Sequence, residues 1–384
     1  MAVALYIGTV YPEARGVKWI STFHRAGFDV VVLRGRSHEG GSEVWPHGVG
    51  VSAVETIERL DTKFPLQYAL ALRVAKLAAS YEPDIIFVRD IFLAGYALYI
   101  GKQLDIPCYV DLADNYPEVV KSMVELGLAG QVGFSVLNQW ERYVLGHADG
   151  VVVVTPESKV HIMRKHQLPG SRLHVVENVP KLGGVFATSK SVFSGSLVYI
   201  GTFDRRIRDI DTVIEGLSIY HERSGESAHL TVYAFEPQEV HSVVLEHGAN
   251  ASFVTVMPAV DNSILYRTLR SFDAGVVPHC RCPATEYTAP NKIYDYLYAG
   301  LRVVCSDNPP LKRIAGEIGG GVTYRCGDPL DFAQTLCRLK RMIEKGQAQA
   351  DTNVLTSRYA WDVQVEPFMV HLHDTLIHRQ STPK

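Results

Sequence analysis

The chain has 384 residues, 47% hydrophobic and 21% charged, with 38 basic and 41 acidic side chains for a net charge of −3. At roughly 100–200 residues per domain, this is ordinary globular composition for two domains. The near-neutral balance carries no polyanion-binding signal, so no nucleic-acid partner is expected, and no stretch approaches the roughly 18 apolar residues that span a bilayer.

The start, MAVALYIGTVYP, lacks a basic n-region and soon meets Pro12, which marks Ala2 to Ile7 as a first strand rather than a signal peptide. A loop containing Gly16 leads into a helix reading VKWISTFHRA, closed by Gly27 as a C′ glycine. Residues 28–33 form the next strand. Leu66, Leu70, Val74 and Leu77 share one helical face. Residues 84–88 read as a buried strand, Leu93, Ala97, Ile100 and Leu104 as a helical stripe, and residues 107–111 as another strand. A long helix follows with Val136, Trp140, Tyr143 and Val144 on one face, and residues 150–154 form a buried strand. Such βαβ alternation implies a parallel sheet covered by helices on both sides.

Residues 169–195 lose this periodicity apart from His174–Val176, which places a linker near residues 180–193. The pattern then restarts. Residues 197–201 form a strand ending in glycine, and Ile210, Val213, Ile214 and Leu217 line a helix. Strands at 229–234, 274–277 and 302–305, a helix opened by Pro290 at N1, and a helix at 332–345 complete it. The first domain is expected over residues 1–180 with 356–384 returning to it, and the second over 194–355. Ligands sit outside the carboxyl ends of parallel strands, so two doubly wound α/β domains are expected to face each other across a cleft.

Three segments at strand ends carry chemistry. In Tyr199–Ile210 (YIGTFDRRIRDI), Gly201 ends a strand, and Arg205, Arg206 and Arg208 precede a helix N-terminus. Guanidinium groups beside free helix amides suit a diphosphate, although a solvated charged turn has the same composition. In Glu286–Gly300 (EYTAPNKIYDYLYAG), a polar loop enters a helix at Pro290, with Lys292 and Asp295 three residues apart on one face. The Asp295 carboxylate can accept from ribose hydroxyls or form a local surface pair with Lys292. In Val110–Glu118 (VDLADNYPE), Asp114 is an acid/base or sugar-hydroxyl candidate, or a turn residue before Pro117.

Other signals are weaker. The six cysteines are Cys108, Cys280, Cys282, Cys305, Cys326 and Cys337; they do not space as a disulfide framework and fit a reducing cytoplasm. His279-Cys280-Arg281-Cys282 lacks the second half of a zinc site, so no metal is expected. Gly319-Gly320-Gly321 can line phosphates or form a tight turn. His371 and His373 read as a solvated helix face. Lys18, Trp19, His24 and Arg25 make a small basic-aromatic face, either a peripheral membrane contact or an ordinary amphipathic helix.

Together the segments resemble the retaining GT-B glycosyltransferases of family 4, over nearly the whole chain. Residues 199–217 look like the family's donor-phosphate motif, with Arg208 where a lysine usually sits. YTAPNKIYDYLYAGLRVV (287–304) is similar to its E-G-x-P-N-x-x-x-E-x-x-x-x-G-x-P-V-V signature, with Pro290, Asn291, Gly300, Val303 and Val304 in register and Asp295 at the second glutamate. Glu177–Pro180 resembles the hinge entry, Tyr359–Trp361 the start of the returning C-terminal helix, and Asp114–Glu118 a D-x-W-P-E element of cell-surface polysaccharide members. Departures are Tyr287 at the first signature glutamate with Glu286 one residue earlier, Thr288, Arg302 for proline, and Ala234-Phe235-Glu236 for G-x-G.

The resemblance implies the GT-B fold, a UDP- or GDP-sugar as co-substrate and no cofactor. It implies transfer with retention and without a covalent nucleophile to a carbohydrate or lipid-linked acceptor. Donor residues would be Gly201, Arg205, Arg206, Arg208, Tyr287, Pro290, Asn291, Lys292 and Asp295. Acceptor residues would be Gly16, Arg89, Asp90 and Asp114, with Asp114 and Arg208 catalytic. A nucleotide-sugar epimerase of this fold and a catalytically silent sugar- or partner-binding homologue stay open.

Overall fold

The computed structural model describes residues 2–8, 13–35, 50–57, 60, 68–123, 127–181, 191–261, 263–347 and 349–381. The chain divides into two units, Met1–Glu177 with Gln364–Lys384, and Asn178–Val363.

The first unit is a parallel sheet of β1 (Val3–Gly8), β2 (Asp29–Gly35), β3 (Ala53–Ile57), β4 (Ile85–Arg89), β5 (Cys108–Leu112), β6 (Gly150–Val153) and β7 (Leu173–Val175), in the order β3-β2-β1-β4-β5-β6-β7. Its inner strands are buried along their whole length, which is why they read as continuous apolar runs. The helices are α1 (Ala14–Arg25), α2 (Tyr68–Ala79), α3 (Asp90–Leu104), α4 (Tyr116–Met123), α5 (Leu128–His147) and α6 (Pro156–His166).

Several expectations change here. Gly16 lies in the first turn of α1, not in a loop. Leu66 falls outside the described residues. Val136 and Tyr143 are exposed, whereas Val144 is buried. The inner face of α5 instead runs through Glu141, which is fully buried against Lys165 at 2.6 Å and His166 at 2.7 Å of α6. A charged residue on the inner face is invisible to apolar periodicity. Trp19 is fully buried, so it belongs to no surface membrane face. Its ring lies 4.6 Å from Phe87 and 5.4 Å from Phe368.

The second unit is a parallel sheet of β8 (Ser196–Ile200), β9 (His229–Ala234), β10 (Val254–Pro258), β11 (Ala274–Val277), β12 (Arg302–Ser306) and β13 (Gly321–Tyr324), in the order β10-β9-β8-β11-β12-β13. Its helices are α7 (Ile210–Ser224), α8 (Pro237–Leu245), α9 (Leu265–Leu269), α10 (Asn291–Tyr298), α11 (Pro309–Ile318), α12 (Pro329–Glu344) and α13 (Thr352–Arg358). Pro290 is the N-cap of α10, one residue before the expected N1 position. Gly319 ends α11 with φ +76, a left-handed conformation that favours glycine, and Gly321 opens β13. The triple glycine therefore lies at the amino end of a strand, which answers to the tight turn and not to a phosphate site.

The last helix, α14 (Trp361–Ser381), returns to the first unit from Gln364 onward. Phe368 packs there against Trp19, Phe87, Tyr109 and His174. His371 sits 4.5 Å from the His174 ring, so only His373 of that pair is exposed. Among the described residues no helix is long and apolar enough to cross a membrane.

Truncating a buried aromatic typically costs about 3–5 kcal/mol. Phe368→Ala should lower the unfolding free energy of the first unit in urea by that amount, with a matching fall in the midpoint, as should Trp19→Ala. A wild-type midpoint for Phe368→Ala would show that the returning helix is not part of this core.

Candidate functional site

In each sheet the strand order reverses once, between β1 and β4 and between β8 and β11. Ligands of doubly wound folds bind outside the carboxyl ends of strands at that reversal.

In the second unit, β8 ends at Gly201 and β11 runs into Pro278-His279-Cys280. Gly201 has φ +127, and a Cβ placed there would meet Lys292 Nζ at 2.9 Å. Glycine thus admits the lysine, whose ammonium lies 4.0 Å from the Tyr199 ring centroid. Burial first, then the neighbouring Arg208, pushes the Lys292 pKa well below the usual lysine range; Asp295 opposes the shift. Arg208 forms an isolated bridge with His279, which joins the turn before α7 to the end of β11. Its Nε is buried without a hydrogen-bond partner among the described residues. So are both ring nitrogens of His279, and burial, with Arg208 and Lys292 nearby, keeps that imidazole neutral. A buried donor left unsatisfied costs about 1–3 kcal/mol. An anion bound here would give Arg208 and Lys292 a counter-charge.

The other donor candidates separate from this cluster. Arg205 pairs with Asp211 at 2.6 Å and Glu246 at 2.6 Å, and Arg206 with Asp204 at 2.6 Å, all near the surface. The structure does not bring these two arginines to Arg208. Glu286 is held by Arg281 through two hydrogen bonds of 2.7 and 2.6 Å, while Tyr287 is half-buried. Asp295 accepts from the Tyr266 hydroxyl at 2.9 Å. Asn291 opens α10 and is exposed. A cavity of about 380 Å³, lined by Gly201, Arg206, Phe235 and Glu239 among others, adjoins the ends of β8 and β9. A larger one of about 680 Å³ lies between α3 and α5, away from the strand ends. Among the described residues no group of three His, Cys, Asp or Glu side chains is placed to hold a metal.

The sequence did not single out His279 as a binding residue, nor the acidic partners in the first unit. There the reversal between β1 and β4 holds a polar network. Arg89 and Asp111 are register partners on β4 and β5. Arg15 reaches Asp111 at 2.8 Å, and Arg89 binds Glu13 at 2.9 and 3.0 Å. Gly16 sits beside Tyr6, whose hydroxyl would lie 2.6 Å from a Cβ at that position. Asp90 is buried with φ +65, and one carboxylate oxygen accepts from the N–H groups of Phe92 at 2.8 Å and Leu93 at 3.3 Å. Burial raises its pKa to about 6, against those two hydrogen bonds. Asp114 lies on the bend after β5 and is exposed.

By sequence, a glycosyl transferase 4-like domain matches residues 16–179 and a glycosyl transferases group 1 domain matches residues 194–341. No curated protein matches the chain by sequence. Sucrose-phosphate synthase (tll1590) from Thermosynechococcus elongatus is similar in structure, with TM-score 0.70 at 15% identity over 98% of this chain and 100% of that one. Alr3699/HepE from Anabaena, solved with UDP-glucose, gives 0.71 at 12% identity over 97% and 100%. The α,α-trehalose 6-phosphate synthase of Burkholderia multivorans gives 0.66 at 12% identity over 100% and 99%. At these identities the likeness is one of fold, two Rossmann-like domains of the GT-B type.

Asp90 generates a test independent of ligand. Its carboxyl ionises near pH 6 when folded and near about 3.9 when unfolded. The folded state therefore binds the proton more tightly, so stability falls as pH rises through this window and the cost is fully present above about pH 6. Asn tolerates positive φ and still accepts a hydrogen bond. Asp90→Asn should be more stable than wild type by about 1–3 kcal/mol at neutral to alkaline pH, with the difference closing toward about pH 4. Urea melts across pH would contradict this if the gap were absent or reversed.

Proposed function

The chain is a glycosyltransferase of the GT-B fold, and from that premise we propose that its second unit binds a nucleoside-diphosphate sugar and its first unit the acceptor. The observation that carries the donor assignment is the cluster of Arg208, Lys292 and neutral His279 at the β8–β11 reversal, with buried donors unsatisfied. Alr3699/HepE, similar in fold, is solved with UDP, with UDP and glucose, and with UDP-glucose, which favours UDP as the first nucleotide to try.

In this reading Arg208 and Lys292 contact the diphosphate, and Asp295, oriented by Tyr266, accepts from the ribose. As the bond from the anomeric carbon to the diphosphate oxygen breaks, the sugar gains oxocarbenium character and the leaving oxygen gains negative charge. Cations already in place stabilise that charge without reorganising. The Lys292 ammonium, disfavoured in the empty site, recovers its proton affinity once the diphosphate arrives. Transfer proceeds with retention and without a metal, to a hydroxyl of a carbohydrate or lipid-linked acceptor held near Asp90 and Asp114. A second reading, a homologue that binds the nucleotide without transferring sugar, is favoured by Tyr287 at the signature glutamate and by the commitment of Glu286 to Arg281. Hydrolysis or transfer of UDP-sugars by the wild type would exclude it.

Arg208→Ala should weaken UDP binding by roughly one to two orders of magnitude, the worth of a hydrogen bond to a charged group, and lower kcat by about 10²–10³. A folded Arg208→Ala that binds UDP like wild type would remove the assignment. UDP binding should also take up protons at some pH below the usual lysine range, seen as a calorimetric enthalpy that varies with buffer, and Lys292→Met should abolish that dependence. Turnover should survive excess EDTA; loss restored by magnesium or manganese would mean a metal-dependent site.

A further inference from the structure

In the first unit α3 lies between α2 and α5, and α4 packs against α5. Ile86 and Val88 of β4 join the core beneath these helices, whereas Phe87 between them points to Trp19 and Phe368 on the other face of the sheet. The four helices sort their charges by side. Arg73, Lys76, Lys102, Lys121 and Arg142 are all exposed, and none of these side chains has a hydrogen bond or an ion pair among the described residues. The acidic residues of the same helices are Asp90, Glu118 and Glu141, and all three are buried. Glu118 and Glu141 are held inward by Lys165, at 2.8 and 2.6 Å. The exposed acids nearest in sequence lie outside the helices: Asp114 in the bend before α4, and Glu82, Asp105 and Asp149 in the turns that close α2, α3 and α5. A net charge of −3 for the whole chain thus conceals a surface of uncompensated cations.

Apolar side chains stand out among those cations. Val132 and Val136 of α5 are 65% and 64% exposed and Tyr143 is 50% exposed, all on one stripe of the helix. Tyr68 and Leu72 of α2 and Phe92 of α3 are exposed as well. The Tyr68 ring meets that of Tyr99 on α3 at 5.8 Å. Tyr99 in turn lines the groove of about 680 Å³ between α3 and α5, with Leu98, Lys102, Val136, Trp140 and Tyr143. The apolar surface therefore continues from α2 to α5. Exposed apolar side chains grouped in this way mark an interaction surface, and here the partner must offer hydrocarbon and negative charge together. An anionic bilayer does so everywhere on its plane. Its headgroups attract the cations, an effect of about fivefold in partition for each Lys or Arg near the surface. The acyl boundary lies just beneath, within reach of valine and tyrosine side chains. An acidic protein would have to set carboxylates opposite five cations dispersed over four helices.

We propose that the outward faces of α2, α3, α4 and α5 dock the protein on an anionic lipid bilayer, with Val132, Val136 and Tyr143 entering the headgroup layer. Among the described residues no helix is long and apolar enough to cross a membrane, so these helices lie on the surface and do not span it. The contact is made on the side of the sheet away from α1, whose Trp19 is fully buried. It depends on neither the donor nor the acceptor assignment, and its test uses no nucleotide.

The test floats the full chain with vesicles of phosphatidylcholine alone or of phosphatidylcholine mixed with phosphatidylglycerol. The protein should bind the mixed vesicles only, and less as salt rises. Lys102→Gln/Arg142→Gln should lower the partition coefficient by about 25-fold, fivefold for each cation removed. Val132→Ser/Val136→Ser should lower it by about tenfold, through lost apolar burial. Ile377→Ser, at an exposed position of α14, should leave it unchanged. All five positions are exposed, so the urea midpoint of each variant should stay that of wild type. A readout without variants is hydrogen exchange of the wild type on mixed vesicles, which should slow at residues 132–143 and not at 370–377. Absence of binding to mixed vesicles at low salt overturns the proposal, as does equal binding to phosphatidylcholine alone. Slowed exchange at 370–377 in place of 132–143, or wild-type partition in both double variants, overturns the assigned face. Equal protection of 132–143 by soluble polyglutamate makes this a protein-docking face and overturns the bilayer as its partner.

Discussion

Two missing Cβ atoms fix how α10 meets its sheet. Gly201 and Gly275 end or lie within the adjacent strands β8 and β11. A Cβ at Gly201 would meet Lys292 Nζ at 2.9 Å, and one at Gly275 would meet the Tyr296 ring at 2.0 Å. Lys292 and Tyr296 are i and i+4 on α10, so both side chains descend from one helical face into the two gaps. The Tyr296 hydroxyl accepts from the N–H of Ile200 at 3.0 Å, which ties the helix to β8 one residue before Gly201. A side chain at Gly275 would lift α10, and with it Lys292 and Asp295, from the strand ends where His279 and Arg208 stand, and one at Gly201 would strain the backbone and push the Lys292 ammonium aside.

The two units handle buried charge in opposite ways. In the first, Arg15 and Arg89 are matched by Asp111 and Glu13 within hydrogen-bonding distance. In the second, Arg208 and Lys292 repel each other, and His279 stays neutral between them. Burying cations without full compensation is costly unless a ligand completes the site. The first network is balanced in charge, with Arg89 Nη1 left as a buried donor without a hydrogen bond among the described residues, which suits recognition of a neutral hydroxyl oxygen. The second is incomplete, which suits an anion. The difference lies in the carboxylates each topology delivers: β5 places Asp111 beside Arg89, whereas β11 delivers His279 beside Arg208.

Much of this architecture was legible because parallel strands buried on both faces leave continuous apolar runs, as at residues 150–153 and 303–305. The edge strand β3 was missed because it alternates, with Val54 and Thr56 more exposed than their neighbours. Helix α6 was missed because its last turn is Arg164, Lys165 and His166; Thr155, which caps it by accepting from the Ser158 N–H, was the available signal. Within the site, Gly201, Arg208, Lys292 and Asp295 were named from strand-end position and spacing. His279 was read only as a neighbour of two cysteines, because its importance depends on β11 lying beside β8. Strand order is not written in any local pattern. The pairing of Arg205 with Glu246 spans 41 residues and was equally out of reach.

The three arginines before α7 show how one composition divides into two jobs. Arg205 and Arg206 are exposed and matched to Asp211, Glu246 and Asp204. Exposed pairs of this kind are worth about 0–1 kcal/mol each and are screened by salt, so they supply little field to a ligand. What they supply is shape: Asp204 also accepts from the Arg206 N–H at 3.0 Å, while its backbone carbonyl accepts from the N–H of Arg208 at 2.8 Å. The turn closes on itself, and Arg208 is directed inward against His279. Two cations spent on surface pairs thus shape the turn that holds the third, which is half-buried with its Nε shut off from solvent and so less screened by salt than its two neighbours.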